Sequence, residues 1–262
     1  MSETFAISLP GRGLLRISGG DAFQFLQNLI TNDMRLLETQ PSIYACLLNV
    51  QGKFLFDFFI RRGGSDYLLE CEGGARLQDL VKRLSIYKLR SDVSFDVNEA
   101  QSVYAVLGSD QYGVSDPRHA DLGYRTFDKP DLPEGPFDVW DEQRIKLAVP
   151  DGSRDIIPEE SRLLDHNIEQ VNGVSWEKGC YVGQEPTAKI HFRGTLKRVL
   201  APVAFSKSVP AFGTDIRDES GALLGDMRSS CGQIGLALLR KDAVQKALDA
   251  GEALPFKQLS RG

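Results

Sequence analysis

The neighbours of Cys180 mark it as the residue best placed to do chemistry, in Lys178-Gly179-Cys180-Tyr181-Val182-Gly183-Gln184-Glu185. Glycines at 179 and 183 let a backbone bend sharply and approach a ligand closely. Lys178 stands two residues before the thiol, and Lys189 and Arg193 follow it. Cations near the sulfur would favour thiolate, the nucleophilic and metal-binding form, so the spacing predicts an exposed thiol of lowered pKa. The plain alternative is a small cysteine buried in a tight turn, where free cysteines usually lie. Lys189 and Arg193 share a face whether their segment is helix or strand. With Lys197 and Arg198 they form the most basic stretch of the chain. It suits an anion such as a carboxylate tail or a phosphate; the alternative is an ordinary solvated face.

Asp57 is the second candidate, in Phe54-Leu55-Phe56-Asp57-Phe58-Phe59-Ile60. On a strand, residues 54, 56 and 58 point one way and 55, 57 and 59 the other. Both faces are then apolar except for this carboxylate. Such an acid has either a raised pKa or a specific partner, and both occur at ligand sites. The competing role is a structural carboxylate bonded to a neighbouring loop. His119, His166 and His191 stand apart in sequence, and none has metal-ligand spacing to another or to Cys46, Cys71, Cys180 or Cys231. A metal site preformed within one subunit is not expected. No Ser–His–Asp ordering, P-loop, H-E-x-x-H or dinucleotide fingerprint is present.

The elements that position these residues read as strands mixed irregularly with helices, an α+β class. Strands are predicted at Phe5–Leu9, Gly13–Ile17, Tyr44–Asn49, Phe54–Arg61, Tyr67–Glu72, Val93–Val97 and Ser102–Leu107. A helix follows Asp21, with Gln24 in capping-box spacing and Ala22, Phe25, Leu26 and Leu29 on its apolar face. Others are predicted at Ala75–Leu89 and Asp138–Leu147, and one begins in Pro158–Gln170. Gly108–Pro136 reads as loops, being rich in glycine, proline and aspartate. The segment after Cys180 fits either a short helix or a strand. Beyond Arg198, short apolar runs (Val199–Phe205, Ala222–Gly225, Gln233–Leu239) and a helix near Asp242–Asp249 suggest a small β-barrel or sandwich.

At 262 residues the chain is long enough for a sizeable core, as one large domain or two small ones. A net charge of −5 argues against a broad basic surface for nucleic acid. Four scattered cysteines do not make a disulfide scaffold. Met1 to Leu15 shows no cationic start followed by an apolar stretch. The apolar runs are far shorter than the roughly 20 residues that span a bilayer. A reduced, cytoplasmic protein without a membrane partner is the expectation.

Lys178–Glu185 resembles the K-G-C-[FY]-x-G-Q-E signature of the YgfZ-like branch of the folate-binding T-protein superfamily. Phe25 through Asp33 is similar to that family's helix ending in T-N-D. Asn49 through Asp57 resembles its Q-G-[KR]-x-x-x-D hairpin, and Asp116-Pro117-Arg118 with Leu122-Gly123-Tyr124-Arg125 its D-P-R-x-x-x-L-G-x-R loop. Ile157-Pro158-Glu159 and Asn172 through Trp176 lead into the signature as in family members. The likeness covers about residues 5 to 205. It implies two intertwined subdomains over 1–198 and a C-terminal β-barrel over 199–262. It further implies a tetrahydrofolate-binding accessory factor for assembly or repair of iron–sulfur proteins, with an indirect effect on tRNA modification. Cys180 would be the functional thiol, presented to a cluster, persulfide or client protein. Asp57, Lys178, Lys189 and Arg193 would contact the folate, Asp57 on its pterin side. Lys189 stands where the family usually has arginine and so lacks the planar fork. T-proteins tend to carry an acidic pair where this chain has Phe56-Asp57. The alternative function is a folate-dependent aminomethyl or one-carbon transferase, with Asp57 moving a proton at the reacting nitrogen.

Overall fold

The structure, a computed structural model, describes residues 4–99 and 101–260. Nine strands occupy the first half: β1 (Phe5–Ser8), β2 (Arg12–Ser18), β3 (Ile43–Leu48), β4 (Phe54–Gly63), β5 (Asp66–Glu72), β6 (Ser94–Asn98), β7 (Tyr104–Leu107), β8 (Val114–Ser115) and β9 (Tyr124–Thr126). They build two antiparallel sheets, ordered β3-β4-β5-β2-β6 and β1-β7-β9-β8. The chain starts in the second sheet, builds the whole of the first, and returns to finish the second. The five consecutive strands of the first sheet are inserted into the second, which is split between β1 and β7–β9, and this is the intertwining that the resemblance implied.

Helices α1 (Ala22–Leu29) and α2 (Ala75–Lys88) cover one face of the larger sheet. Their apolar stripes, including Phe25, Leu26, Leu77, Leu80 and Leu84, pack on Leu15, Ile17, Phe58 and Leu69. The opposite face packs Tyr44, Cys46, Phe54 and Phe59 against Val149, Ile156, Leu163, Ile168 and Tyr181. Strand β4 is therefore buried on both sides, which is why its sequence runs almost unbroken in apolar residues. Its faces do not alternate throughout as the sequence suggests. Leu47 pairs with Phe56 and Leu48 with Phe54, leaving Leu55 as a bulge. Phe54 consequently turns to the face of Phe59, while Leu55 joins Phe56 and Phe58.

Three further expectations are corrected. Asp21 makes no side-chain cap of α1: its carboxylate accepts from Asp92 N at 2.8 Å, and Gln24 bonds Asn28. The helix expected within Pro158–Gln170 is a single 3-10 turn, Leu163–His166, ended by Asn167 in the left-handed region. The stretch Gly108–Pro136 contains β8 and β9 as well as loops.

Helix α3 (Phe137–Lys146) seals the smaller sheet by packing Trp140 on Ile7, Leu9 and Val103. Helix α4 (Gln184–Arg193) resolves the ambiguous segment as helix. Beyond it, β10 (Arg198–Ala204), β11 (Asp215–Arg217), β12 (Leu223–Cys231), β13 (Ile234–Arg240) and β14 (Lys257–Gln258) form a third antiparallel sheet, β11-β12-β13-β10-β14. It packs on α5 (Lys241–Asp249) around Val203, Leu224, Met227 and Ala237. A buried ion cluster joins this sheet to the preceding part. Arg144 of α3 reaches Asp155 Oδ2 at 2.8 Å and Ser229 Oγ of β12 at 2.7 Å. Asp155 Oδ1 accepts from Ser229 N and Oγ.

Candidate functional site

The cysteine loop is seated on a segment almost 150 residues earlier in the chain. Thr31, Asn32 and Asp33 follow α1 and are all buried. Thr31 Oγ1 donates to Gly173 O at 2.6 Å, and Asn32 Nδ2 donates to Asn172 O at 2.7 Å and Tyr44 O at 2.8 Å. Ser175 N donates to Thr31 O at 3.0 Å. Lys178 completes the seat: its ammonium donates to Ile30 O and Asn32 O, both at 2.7 Å. Burial dominates its titration and pushes its pKa down to about 7, against the pull of Asp33. Lys178 is thus a clamp turned into the protein, not a cation standing beside the sulfur.

Tyr181 is the second anchor, buried in the cluster of Leu163 and Ile168 with Lys178 Nζ 5.2 Å from its ring centroid. Between these two inward-facing residues Gly179 and Cys180 are exposed. Gly183 sits at φ +79°, where an added Cβ would collide with Asn49 O and lie 2.8 Å from Leu48 Cβ. Its close approach is therefore to the β3–β4 turn rather than to a ligand. Of the other cysteines, Cys46 and Cys71 are buried and Cys231 is half-buried. Burial raises the Cys46 thiol pKa well above its ordinary value and pushes that of Cys71 up to about 12. Exposure alone therefore singles out Cys180 for reaction with a partner.

Helix α4 carries Lys189 and Arg193, both exposed. It also carries His191, whose ring stacks on Trp176 with centroids 3.9 Å apart. Glu169 accepts from Trp176 Nε1 at 2.9 Å and lies 3.0 Å from His191 Nδ1. Phe192, 70% exposed, meets both rings edge-on. Cysteine loop and helix together present a thiol, two cations and an aromatic group on one continuous stretch of chain.

Asp57 lies on β4, 3% exposed, in register with Cys46. Tyr44 Oη donates to its Oδ2 at 2.9 Å, whereas its Oδ1 is buried with no hydrogen-bond partner among the described residues. Burial, then repulsion from Glu72, outweigh Arg12 and raise its pKa to about 6. The turn at Gly152 closes over it, since a Cβ there would stand 3.0 Å from Oδ1. Next to it runs a chain of paired charges. Arg12 and Arg125 both hold Glu70, Arg125 also bonds Asp116 Oδ2, and Arg118 clasps Asp116 through Nε and Nη2. Phe59 lies under Arg118 and Arg125, at 4.7 and 4.0 Å from its centroid.

The four residues proposed to contact folate do not converge: Asp57 is interior, Lys178 is a clamp, and Lys189 and Arg193 are outside on α4. Arg12, Glu70, Arg118, Arg125 and Arg144 escaped sequence reasoning as site or framework residues. The sequence signal for them is Asp116-Pro117-Arg118 with Gly123-Tyr124-Arg125, a motif that contains two of the four arginines. Among the described residues no group of three His, Cys, Asp or Glu is arranged to hold a metal ion, and no helix is long and apolar enough to cross a membrane.

The family model described as the CAF17 C-terminal beta-barrel domain matches residues 197–257. The crystal structure of the glycine cleavage system aminomethyltransferase T from Bartonella henselae superposes with a TM-score of 0.68, covering 91% of this chain and 78% of its own at 14% identity. That likeness establishes the fold: interwoven α+β subdomains followed by a β-barrel. The human mitochondrial iron–sulfur cluster assembly factor IBA57 is 33% identical over 92% of this chain and 78% of its own length. The Mycosarcoma maydis homologue is 28% identical over 97% and 78%. At that identity and coverage, on a T-protein fold, the chain belongs to the IBA57 family.

Proposed function

We propose that this protein supports the assembly or repair of iron–sulfur proteins, and that Cys180 is the thiol it offers. The observation that carries this reading is the construction of the loop. Two buried anchors, Lys178 and Tyr181, hold an exposed cysteine at a fixed place on the surface. A thiol presented in that way is accessible to a client or assembly protein, or to cluster iron or sulfur. Trp176, His191 and Phe192 flank it in sequence with apolar area for such a partner. Effects on tRNA modification follow indirectly, through modifying enzymes that need clusters. A reduced compartment such as the cytoplasm keeps the thiol free. The test is complementation of a strain lacking its own relative, scored by the activity of a [4Fe–4S] enzyme. Recovery with the wild-type chain is expected, and no recovery at normal protein levels contradicts the role.

Tetrahydrofolate is the proposed small-molecule ligand. The residues fit it at one point: the orphaned, buried Asp57 Oδ1 is an acceptor suited to an N–H donor of the pterin. Folate would supply one-carbon chemistry when bound; the contribution of this chain is Asp57 as an acceptor. Entry requires the turn at Gly152 to shift. Titration with tetrahydrofolate should saturate with a Kd of about micromolar, roughly −8 kcal/mol. Absence of binding at about millimolar ligand removes folate from the account. The second reading, an aminomethyl or one-carbon transferase, draws on the raised pKa of Asp57, about 6, which suits a proton carrier near neutrality. Turnover of an amine or methylated donor that is lost in Asp57→Asn would favour it.

A further inference from the structure

The third sheet meets the rest of the chain at a cleft of ≈ 740 Å³, away from both Cys180 and Asp57. Its walls are the 3-10 turn Leu163–His166, the linker 194–197 after α4, and strands β12 and β13. Lys53, Arg162, Lys197, Arg198 and Arg228 line it against two carboxylates, Glu160 and Asp165, so it is electropositive in an acidic protein.

Two of the lining side chains are buried and incompletely bonded. Arg228 is 4% exposed; Nη2 reaches Asp226 Oδ2 at 2.7 Å, but Nε and Nη1 have no partner among the described residues. His166 is 1% exposed, with Nδ1 at 2.9 Å from Arg162 O. A carbonyl only accepts, so Nδ1 carries the proton and Nε2 is a bare acceptor, also unpartnered among the described residues. Burial holds the His166 pKa down at about 4, which keeps the ring neutral near pH 7. A guanidinium that lacks acceptors and an imidazole that lacks a donor together describe the ligand: an oxyanion that keeps one O–H. At pH 6.5 inorganic phosphate keeps that proton on most of its molecules and a monoester on a smaller fraction, whereas sulfate keeps none.

We propose that this cleft is a phosphate site, with an anionic oxygen on Arg228 and a P–OH donating to His166 Nε2. The test is calorimetric titration of the full chain at pH 6.5 with inorganic phosphate, sulfate and glycerol 3-phosphate. Phosphate should bind saturably and at least 10-fold tighter than sulfate, and Arg228→Gln should weaken it at least 10-fold. The stronger of phosphate and its monoester then identifies the source. In the wild-type protein the nitrogen resonances of His166 should move with phosphate and stay put with sulfate, a readout that survives if the variant fails to fold. Equal binding of phosphate and sulfate, or a His166 ring insensitive to phosphate, overturns the proposal.

Discussion

Glu70 and Asp57 lie on neighbouring strands of one sheet, both 3% exposed, yet their surroundings drive them in opposite directions. Burial alone would raise the pKa of Glu70, but Arg125 and Arg12 hold it below the usual carboxylate range. Asp57 has Tyr44 on one oxygen and no hydrogen-bond partner among the described residues on the other, so burial and Glu72 push it up to about 6. A carboxylate with every oxygen met by a guanidinium is framework, because losing one partner strands the others in a poor dielectric. A carboxylate left with a free lone pair is a place where something else can bind or a proton can reside. The same contrast separates Lys178, bonded to two buried carbonyls, from Cys180 two residues on, which touches solvent.

The largest effect is expected from breaking the framework member. Glu70→Gln leaves Arg12 and Arg125 under-compensated in the interior and should cost on the order of 3–5 kcal/mol in urea unfolding. A loss below about 1 kcal/mol would reduce Glu70 to the standing of a surface pair.

Gly183→Ala should cost about 2–3 kcal/mol by the same assay, through a left-handed φ and a collision with the β3–β4 turn. An unchanged midpoint would mean that the loop is not pinned as described.

Asp57→Asn should instead be neutral or stabilising at pH 7, by on the order of 2 kcal/mol. The sign follows from a folded pKa, about 6, above the unfolded value of about 4. The wild-type group stabilises fully below about pH 4, and that contribution is lost as pH rises through about 6. Stability measured from pH 4 to 7 should show this fall in the wild type and a flatter profile in Asp57→Asn. Folate affinity should drop in the variant, and if affinity is unchanged Asp57 does not meet the ligand.

Lys178 titrates with the opposite sign. Its folded pKa, about 7, lies below the unfolded value of roughly 10.4, so the unfolded chain binds more protons between them. Its contribution to stability should therefore rise from about pH 7 to 10. Lys178→Met should remove that rise, and a rise that persists assigns it to another group.

Local pattern made much of this molecule legible. The stripe Ala22, Phe25, Leu26 and Leu29 is the buried face of α1, and the runs at 54–61 and 67–72 are strands. The misses share a cause: partners distant in sequence. Asp21 reads as a cap but is taken by Asp92, 71 residues away. Leu55 is a bulge that apolar composition cannot reveal, since every neighbour is apolar as well. Lys178 reads as a neighbour of Cys180, yet the carbonyls that claim it lie 146 and 148 residues earlier. Arg125 and Glu70 are 55 apart, and only the fold brings them together. The exposure of Cys180 was legible only in part: flanking glycines suit a buried tight turn equally well, and it is the burial of Lys178 and Tyr181 that leaves the thiol outside.

The central claim, that an anchored and exposed thiol at 180 performs the work, is tested most directly by Cys180→Ser in the complementation assay, with Cys231→Ser as the matched control. Both variants should fold with wild-type thermal stability, since one thiol faces solvent and the other is half-buried. The account predicts that Cys231→Ser restores [4Fe–4S] enzyme activity while Cys180→Ser, at equal protein levels, restores none. Full recovery with Cys180→Ser would contradict it and leave the one-carbon transferase as the better description of this protein.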